Sequence, residues 1–141
     1  MLFIEEMLSA APTRFPVDEQ FVATCIEAVL SCAIACNACA DACLAEDQVE
    51  RLRRCIRLNL DCADVCEMAG RTMSRLFAAD KELLRTQLEA CVRVCSACGE
   101  ECERHANHHR HCRICAEACR FCEEQCRRLV RDLSSAEHLG A

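Results

Sequence analysis

The chain has 141 residues, 52% of them apolar when cysteine is counted, and a formal net charge of −6. This length suits one compact domain, and no segment reaches the uncharged length that a membrane span needs. The acidic balance argues against a nucleic-acid partner, because phosphate binding requires a concentrated basic surface.

The predicted elements begin with a short helix at about Leu2–Ser9, within an N-terminal segment of residues 1–16 that ends in a linker with two prolines. Proline breaks a helix, so the linker separates this segment from the main domain. Residues 17–133 are predicted to form that domain. Residues 134–141 are predicted to be a frayed C-terminal tail.

Four long helices are predicted in the main domain. The first runs from near Asp18 to Ala45, with the Asp18 side chain as its N-cap. The second begins after Asp47 and runs to about Leu76. Glu50 follows Asp47 by three residues, a spacing typical of a capping box.

The third predicted helix starts after Asp80 and ends near His105, and the fourth starts after Asn107 and fades by about Leu133. Asp80 and Asn107 are both suitable N-cap residues. The short connections force successive helices to lie antiparallel. The sequence therefore predicts an all-α protein, an antiparallel up-down-up-down four-helix bundle with a short N-terminal helix.

Seventeen cysteines are the main chemical feature of the chain. Within four blocks they follow one another at intervals of three, four or seven residues, which places each block on one helical face. The blocks are Cys25, Cys32, Cys36, Cys39 and Cys43; Cys55, Cys62 and Cys66; Cys91, Cys95, Cys98 and Cys102; and Cys112, Cys115, Cys119, Cys122 and Cys126. If each stripe faces the bundle axis, the interior is a tube lined by thiols.

Such enrichment in a short chain is typical of a secreted disulfide scaffold, but three observations argue against that class. The N-terminal stretch carries Glu5 and Glu6 where a signal peptide has basic residues. Helical neighbours three or four apart have Cβ atoms about 5–6 Å apart, whereas a disulfide needs roughly 3.5–4.5 Å. The cysteine count is also odd. We therefore expect reduced thiols and a cytosolic protein.

Thiolates select soft metals, so Cu(I), Zn(II) and iron–sulfur clusters are the candidate ligands of this interior. Zinc needs four ligands converging on a tetrahedron, and iron–sulfur clusters are commonly held by cysteines on loops. A long helical ladder offers repeated two-sulfur clamps instead, which suit Cu(I). With bridging thiolates, the capacity is on the order of 15–20 Cu(I) per chain. A monovalent ion also replaces thiol protons without accumulating buried charge.

The leading hypothesis is therefore a Cu(I) store that performs no chemical turnover and is not an enzyme. An iron–sulfur electron carrier is the alternative, and it would absorb strongly across the visible spectrum. A thiol oxidoreductase is a third candidate. Cys95–Cys98 and Cys112–Cys115 match the C-x-x-C motif of that class, but both lie within longer ladders rather than in a βαβ unit.

Polar residues on the cysteine stripes lie mainly at one end of the predicted bundle. By their spacing from neighbouring cysteines, His105, His108 and His111 are predicted to reach the axis, whereas His109 is less well phased. We expect this end to be the mouth through which ions are taken in, and the alternative is a solvated histidine cluster. Asn59 occupies the axial position between two cysteines of the second helix, where we favour hydrogen bonding without metal.

At the opposite end the stripes continue as apolar residues, which predict a plug. These residues are Phe21, Met73, Leu84, Leu88, Leu129 and Leu133.

Four runs of the sequence resemble the bacterial copper storage proteins, in particular their cytosolic branch. They are CAIACNACADAC at 32–43, CIRLNLDCADVC at 55–66, CVRVCSACGEEC at 91–102 and HCRICAEACRFCEEQC at 111–126. The resemblance implies a four-helix bundle that forms homotetramers and stores many Cu(I) ions in each protomer. It also implies that His105, His111 and Asn59 assist the cysteines in holding copper. A copper chaperone or an efflux protein is a candidate partner.

Overall fold

A computed structural model of the chain describes residues 2–12, 17–76 and 79–140, and these residues are almost entirely helical. Its α-helices are α1 (Leu2–Ser9), α2 (Glu19–Leu44), α3 (Arg53–Met73), α4 (Lys81–His105) and α5 (Arg110–Gly140). A short 3-10 helix, Val49–Leu52, precedes α3. The predicted all-α class is confirmed.

The short helix α1 has the predicted bounds and lies against α2. Its Ile4 and Leu8 side chains, one helical turn apart, pack on the edge of the hydrophobic core, whereas Phe3 and Met7 are exposed. Pro16, the second proline of the predicted linker, lies outside the described residues.

The four long helices form a ring in which α2 and α4 each contact both α3 and α5. Sulfur contacts show that neighbouring helices run in opposite directions. Cys55 at the start of α3 lies 3.6 Å from Cys102 near the end of α4, and Cys66 later in α3 lies 3.5 Å from Cys91 earlier in α4. This arrangement is the predicted up-down-up-down bundle.

Two of the predicted N-caps are confirmed. The Asp18 carboxylate accepts a hydrogen bond from the Phe21 N–H at 3.1 Å. The Asp80 carboxylate accepts one from the Leu83 N–H at 3.0 Å. Each negative charge also lies at the positive end of its helix dipole. The caps fix where α2 and α4 begin.

The capping box predicted for Asp47 and Glu50 is wrong. The residues that precede the 3-10 helix and α3, Gln48 and Leu52, make no side-chain cap. Leu52 is only 1% exposed. We attribute the tighter 3-10 segment to the burial of this leucine, which draws the start of the second helix inward before α3 begins.

Asn107 is not the N-cap of α5, which starts at Arg110. The carbonyl of His105 accepts hydrogen bonds from the N–H groups of His108 and His109, at 3.1 and 3.0 Å. These bonds prolong the turn that follows α4, so Asn107 lies within that turn rather than at a helix start.

The second predicted helix is shorter than expected, since α3 ends at Met73 rather than near Leu76. The Ser74 hydroxyl donates a 2.6 Å hydrogen bond to the Arg71 carbonyl. A serine that bonds to the backbone in this way competes with continuation of the helix.

The fourth predicted helix is longer than expected, since α5 continues to Gly140 rather than ending near Leu133. Residues 134–139 contain neither glycine nor proline, so nothing in this stretch terminates the helix. Most of the segment predicted to be a frayed tail is therefore helical.

The apolar plug is present at the end of the bundle opposite the histidines. Its predicted members are all buried: Phe21, Met73, Leu84, Leu88, Leu129 and Leu133. The Arg128 guanidinium lies 4.0 Å from the centroid of the Phe21 ring and covers it from outside. The plug closes this end of the interior to water.

One helix, α2, is long and apolar enough to cross a membrane by length and composition, contrary to the expectation from the sequence. Within the 18-residue stretch of α2 that has the highest mean hydropathy, 56% is buried against the rest of the bundle. A helix that packs in a cysteine-rich core has this composition without a membrane, because cysteine and alanine are its most frequent apolar residues.

Candidate metal centre

All seventeen cysteines are free thiols, and each is at most 2% exposed. The helical period explains the burial, since residues three, four and seven apart share the face that each helix turns to the axis. The prediction that the stripes converge on one interior is confirmed. Sulfur takes the place that leucine holds in most bundles.

The sulfur atoms form a network that runs along the bundle axis. The Cys32 sulfur lies 3.8 Å from those of Cys62 and Cys119, and 3.9 Å from that of Cys36. A disulfide bond is about 2.05 Å long, so these atoms are neighbours in van der Waals contact and not bonded pairs. A soft ion placed between two or three of them meets preformed ligands.

Several sets of four sulfurs lie within 4.8 Å of one another. They include Cys32, Cys66, Cys95 and Cys122; Cys32, Cys36, Cys62 and Cys119; and Cys36, Cys98, Cys115 and Cys119. Because neighbouring sets share members, a metal ion in one set also touches ligands of the next. Bridging coordination is therefore built into the arrangement.

Burial disfavours the charged form of a thiol and therefore acts to raise the pKa of the interior cysteines. It raises the pKa of Cys25 to about 12, although the nearby Arg128 charge acts in the opposite direction. Hydrogen bonding with Cys122 and other thiols, together with burial, raises the pKa of Cys66 far above its ordinary value. Hydrogen bonding with Cys102 and other thiols acts the other way at Cys55 and lowers its pKa to about 5, so the thiols of the network differ in acidity.

Asn59 is fully buried in the cysteine ladder of α3, as predicted. Its Oδ1 accepts hydrogen bonds from the thiols of Cys98, Cys102 and Cys115, at 3.1, 3.5 and 3.3 Å. Its Nδ2 donates to the Cys55 sulfur at 3.7 Å. The amide thus joins three helices through sulfur atoms.

The Asn59→Ala substitution is expected to lower the free energy of unfolding of the copper-free protein by about 1–3 kcal/mol, since it removes a fully bonded buried amide. Urea denaturation followed by circular dichroism measures the change. Asn37→Ala, on the exposed face of α2, is the matched control and should be nearly neutral. Equal stability of both variants would show that the amide does not hold the helices together.

His111 lies at the histidine end of the bundle and contacts sulfur. Its Nδ1 is 3.4 Å from the Cys39 sulfur and 3.6 Å from the Cys112 sulfur, and its Nε2 is 3.5 Å from the Glu46 carboxylate. Partial burial acts to lower the pKa of His111, but the hydrogen bonds and charges of Cys39 and Glu46 outweigh it and the pKa is raised. The prediction that His111 reaches the interior is confirmed.

His108 and His109 lie in the turn between α4 and α5, and their exposure is the reverse of what the sequence predicts. His108 is exposed, so its predicted approach to the axis is wrong. His109 is half-buried instead, stacks on His111 with 5.4 Å between ring centroids, and pairs through Nδ1 with Glu46. The shift of the α5 start to Arg110 rotates both residues relative to the predicted phase.

His105 is half-buried and its Nε2 lies 2.9 Å from the carboxylate of Glu101. Glu101 is only 6% exposed, and Arg54 from α3 approaches it to 3.4 Å. Glu101 and Glu46 are the polar residues of the mouth that sequence reasoning missed. Glu101 precedes His105 by four residues in the same helix, a spacing that predicts a contact between their side chains. Glu46 lies beyond the end of α2, so no helical spacing predicts its contacts.

A protein-family model for copper storage proteins, Csp, matches residues 18–131. The chain belongs to the copper storage protein family. The matched region contains α2, α3 and α4, the part of α5 up to residue 131, and every cysteine. This copper storage protein is therefore a metal-storing bundle, and copper is the ion its interior holds.

Solved relatives agree with the family assignment. The copper storage protein Ccsp from Streptomyces lividans, loaded with 10 copper equivalents, is 48% identical and has a TM-score of 0.90, covering 92% of this chain and 98% of that chain. A second structure shows copper loading, with five coppers, to a cytosolic copper storage protein from Streptomyces lividans. That protein is 53% identical with a TM-score of 0.78, and the match covers 79% of this chain and 93% of that chain.

Further matches come from Bacillus subtilis. The Cu(I)-bound copper storage protein BsCsp3 is 39% identical with a TM-score of 0.70, over 78% of this chain and 98% of that chain. The uncharacterized cysteine-rich protein YhjQ is 41% identical over 100 residues, which is 71% of this chain and 87% of that protein.

Proposed function

We propose that this copper storage protein holds Cu(I) in the cytosol on its seventeen buried cysteines, with no chemical turnover, and so buffers or detoxifies copper. The observation that carries the proposal is the continuous network of free thiols along the axis, in which sulfurs of different helices lie 3.5–4.0 Å apart. Soft thiolates at these separations suit a soft ion that takes two or three sulfur ligands and accepts bridging.

Charge balance explains how one small bundle takes up many ions. Each Cu(I) that binds displaces thiol protons, and its positive charge replaces theirs. Loading therefore leaves the interior close to neutral. The same number of divalent ions would leave a large buried positive charge. Among the described residues, Asn59 is the one fully buried polar side chain of the core besides the thiols, and a neutral amide cannot offset that charge.

The histidine end is the proposed place of uptake. The plug closes the opposite end, whereas the side chains of His105, His111 and Glu46 are 20%, 27% and 33% exposed to solvent. Imidazole is a ligand for copper that also tolerates water, so it suits a position between solvent and the thiol interior. We assign His111 and His105 to the acceptance of incoming ions, and Asn59 to the support of the thiols behind them.

Anaerobic titration tests the storage function. Reduced, metal-free protein is expected to bind about 15–20 equivalents of Cu(I) per chain, a number set by thiolate count and bridging. Helical circular dichroism should barely change, because the sulfurs already lie at ligand separations. A competing colorimetric Cu(I) chelator reports the bound number.

Saturation at two to four equivalents would contradict storage and indicate discrete sites. The same samples separate the alternative function, because d10 Cu(I)–thiolate sites are nearly colourless. An iron–sulfur electron carrier would instead show strong visible absorption after reconstitution with iron and sulfide.

We further propose that the chain forms a homotetramer and exchanges copper with a chaperone or an efflux protein. The tetramer is what the resemblance to the family implies, and the exposed apolar side chains of Ile34, Leu60 and Phe121 are candidate contacts between protomers. Sedimentation equilibrium measures the oligomeric state, and a monomer at micromolar concentration would contradict the tetramer.

A further inference from the structure

One set of ligands differs from the sulfur-only sets of the interior. The sulfurs of Cys39, Cys43 and Cys112 and the Nδ1 of His111 all lie within 4.8 Å of one another at the mouth. They come from the end of α2 and the start of α5. Three thiols and one imidazole are a donor set that structural zinc sites use.

The separations within this set fit a zinc tetrahedron. With Zn–S of about 2.3 Å and Zn–N of about 2.0–2.1 Å, ideal tetrahedral edges are about 3.8 Å between sulfurs and about 3.5 Å from sulfur to nitrogen. The Cys39 sulfur is 4.0 Å from that of Cys43 and 3.9 Å from that of Cys112. His111 Nδ1 is 3.4 and 3.6 Å from the sulfurs of Cys39 and Cys112.

We propose that the mouth of the copper-free bundle is a Zn(II) site, formed by Cys39, Cys43, Cys112 and His111. A single divalent ion there occupies thiols and the imidazole that incoming Cu(I) meets first. It therefore closes the entrance to the thiol interior until a competing ligand or Cu(I) removes it.

Charge favours this position over the interior sets. Sulfurs of Cys32, Cys36, Cys62 and Cys119 also approach tetrahedral separations, with distances of 3.7–3.9 Å. A divalent ion on four thiolates, however, carries a net charge of −2, and all four of these residues are 0% exposed. Three thiolates and a neutral imidazole leave −1, and His111 is in contact with solvent.

The surroundings of His111 suit metal binding. Its Nε2 faces the Glu46 carboxylate at 3.5 Å, and a hydrogen bond there places the proton on Nε2 and leaves the Nδ1 lone pair directed at the sulfurs. A carboxylate behind a histidine ligand fixes its ring orientation and raises its basicity. Glu46 is thus a positioning residue for the site.

Titration of the reduced, metal-free full chain with Co(II), a spectroscopic substitute for Zn(II), tests the proposal under anaerobic conditions. One equivalent should give the intense visible bands of a tetrahedral thiolate complex, and one equivalent of Zn(II) should abolish them. Glu46→Gln is expected to weaken Zn(II) binding about 10- to 100-fold, the usual effect of losing such a carboxylate. His111→Ala is expected to weaken it further.

Matched controls are His108→Ala and Asp47→Asn, which alter exposed side chains of the same kinds beside the mouth. Both should keep the parental Zn(II) affinity, and circular dichroism checks that every variant folds. An unchanged tetrahedral spectrum in His111→Ala would overturn the proposal, because it would place the ion on interior sulfurs. Absence of a tetrahedral spectrum in the folded parent would also overturn it. Neither result would change the copper capacity expected from the Cu(I) titration, so the two proposals fail separately.

Discussion

Cu(I) uptake should slow by about tenfold when His105 and His111 are both replaced by alanine, a loss comparable to removing groups that orient or supply a metal ligand. The final number of bound ions should fall by no more than about two, since thiolates supply the capacity. The positions of the two histidines explain why the rate should change more than the capacity. His111 contacts the outermost thiols, and His105 lies beside buried Glu101, so both act on ions that have not yet reached the interior.

Stopped-flow mixing of zinc-free protein with a Cu(I) chelate measures the rate, and the end point of the same reaction gives the capacity. His108→Ala is the control, because His108 is an exposed histidine of the same turn. If the double variant loads as fast as the parent, the histidines have no part in uptake. If rate and capacity fall together, they are storage ligands instead.

The cysteine interior was predictable because one physical rule governs it. An apolar side chain repeated at three, four and seven faces the core of a bundle, and the rule holds for cysteine as it does for leucine. Asn59 and Met73 followed the same phase and are buried as expected. The helical ladder already favoured Cu(I) among the soft metals, and the family resemblance supported that choice.

The same rule could not predict where α3 and α5 begin, and the starts predicted after Asp47 and Asn107 were wrong. N-cap residues are common in connections, and which of them caps a helix depends on where tertiary contacts place the chain. Burial of Leu52 decides the first case, and the bonds to the His105 carbonyl decide the second. The second error then altered the site, since it exchanged the predicted positions of His108 and His109.

The pairing of His109 with Glu46 illustrates what sequence phasing omits. Each residue belongs to a turn, and the two turns meet only after α2 and α5 have packed together. Contacts between two turns depend on how far the packed helices are shifted along their axes relative to each other. The residue pattern of a single helix does not contain that information. The contacts of Glu46 with His109 and His111 could therefore be found only from the structure.

Leu88→Ala is expected to lower the free energy of unfolding of the copper-free protein by about 2–5 kcal/mol, because it opens a cavity in a fully buried part of the plug. Urea denaturation of the metal-free, reduced chain measures the loss. Leu83→Ala, in the same helix at a position that is 55% exposed, is the control. It should change stability by less than about 0.5 kcal/mol.

Copper should largely hide this defect. Ions that bind only the folded bundle stabilise it by mass action, and thiolates from all four helices share them. The Leu88→Ala protein should therefore keep its full Cu(I) capacity, and the difference in unfolding from the parent should shrink after loading. A capacity that falls in proportion to the lost stability would instead mean that the plug shapes the metal sites, and that the apolar end and the sulfur interior are not separable parts of the bundle.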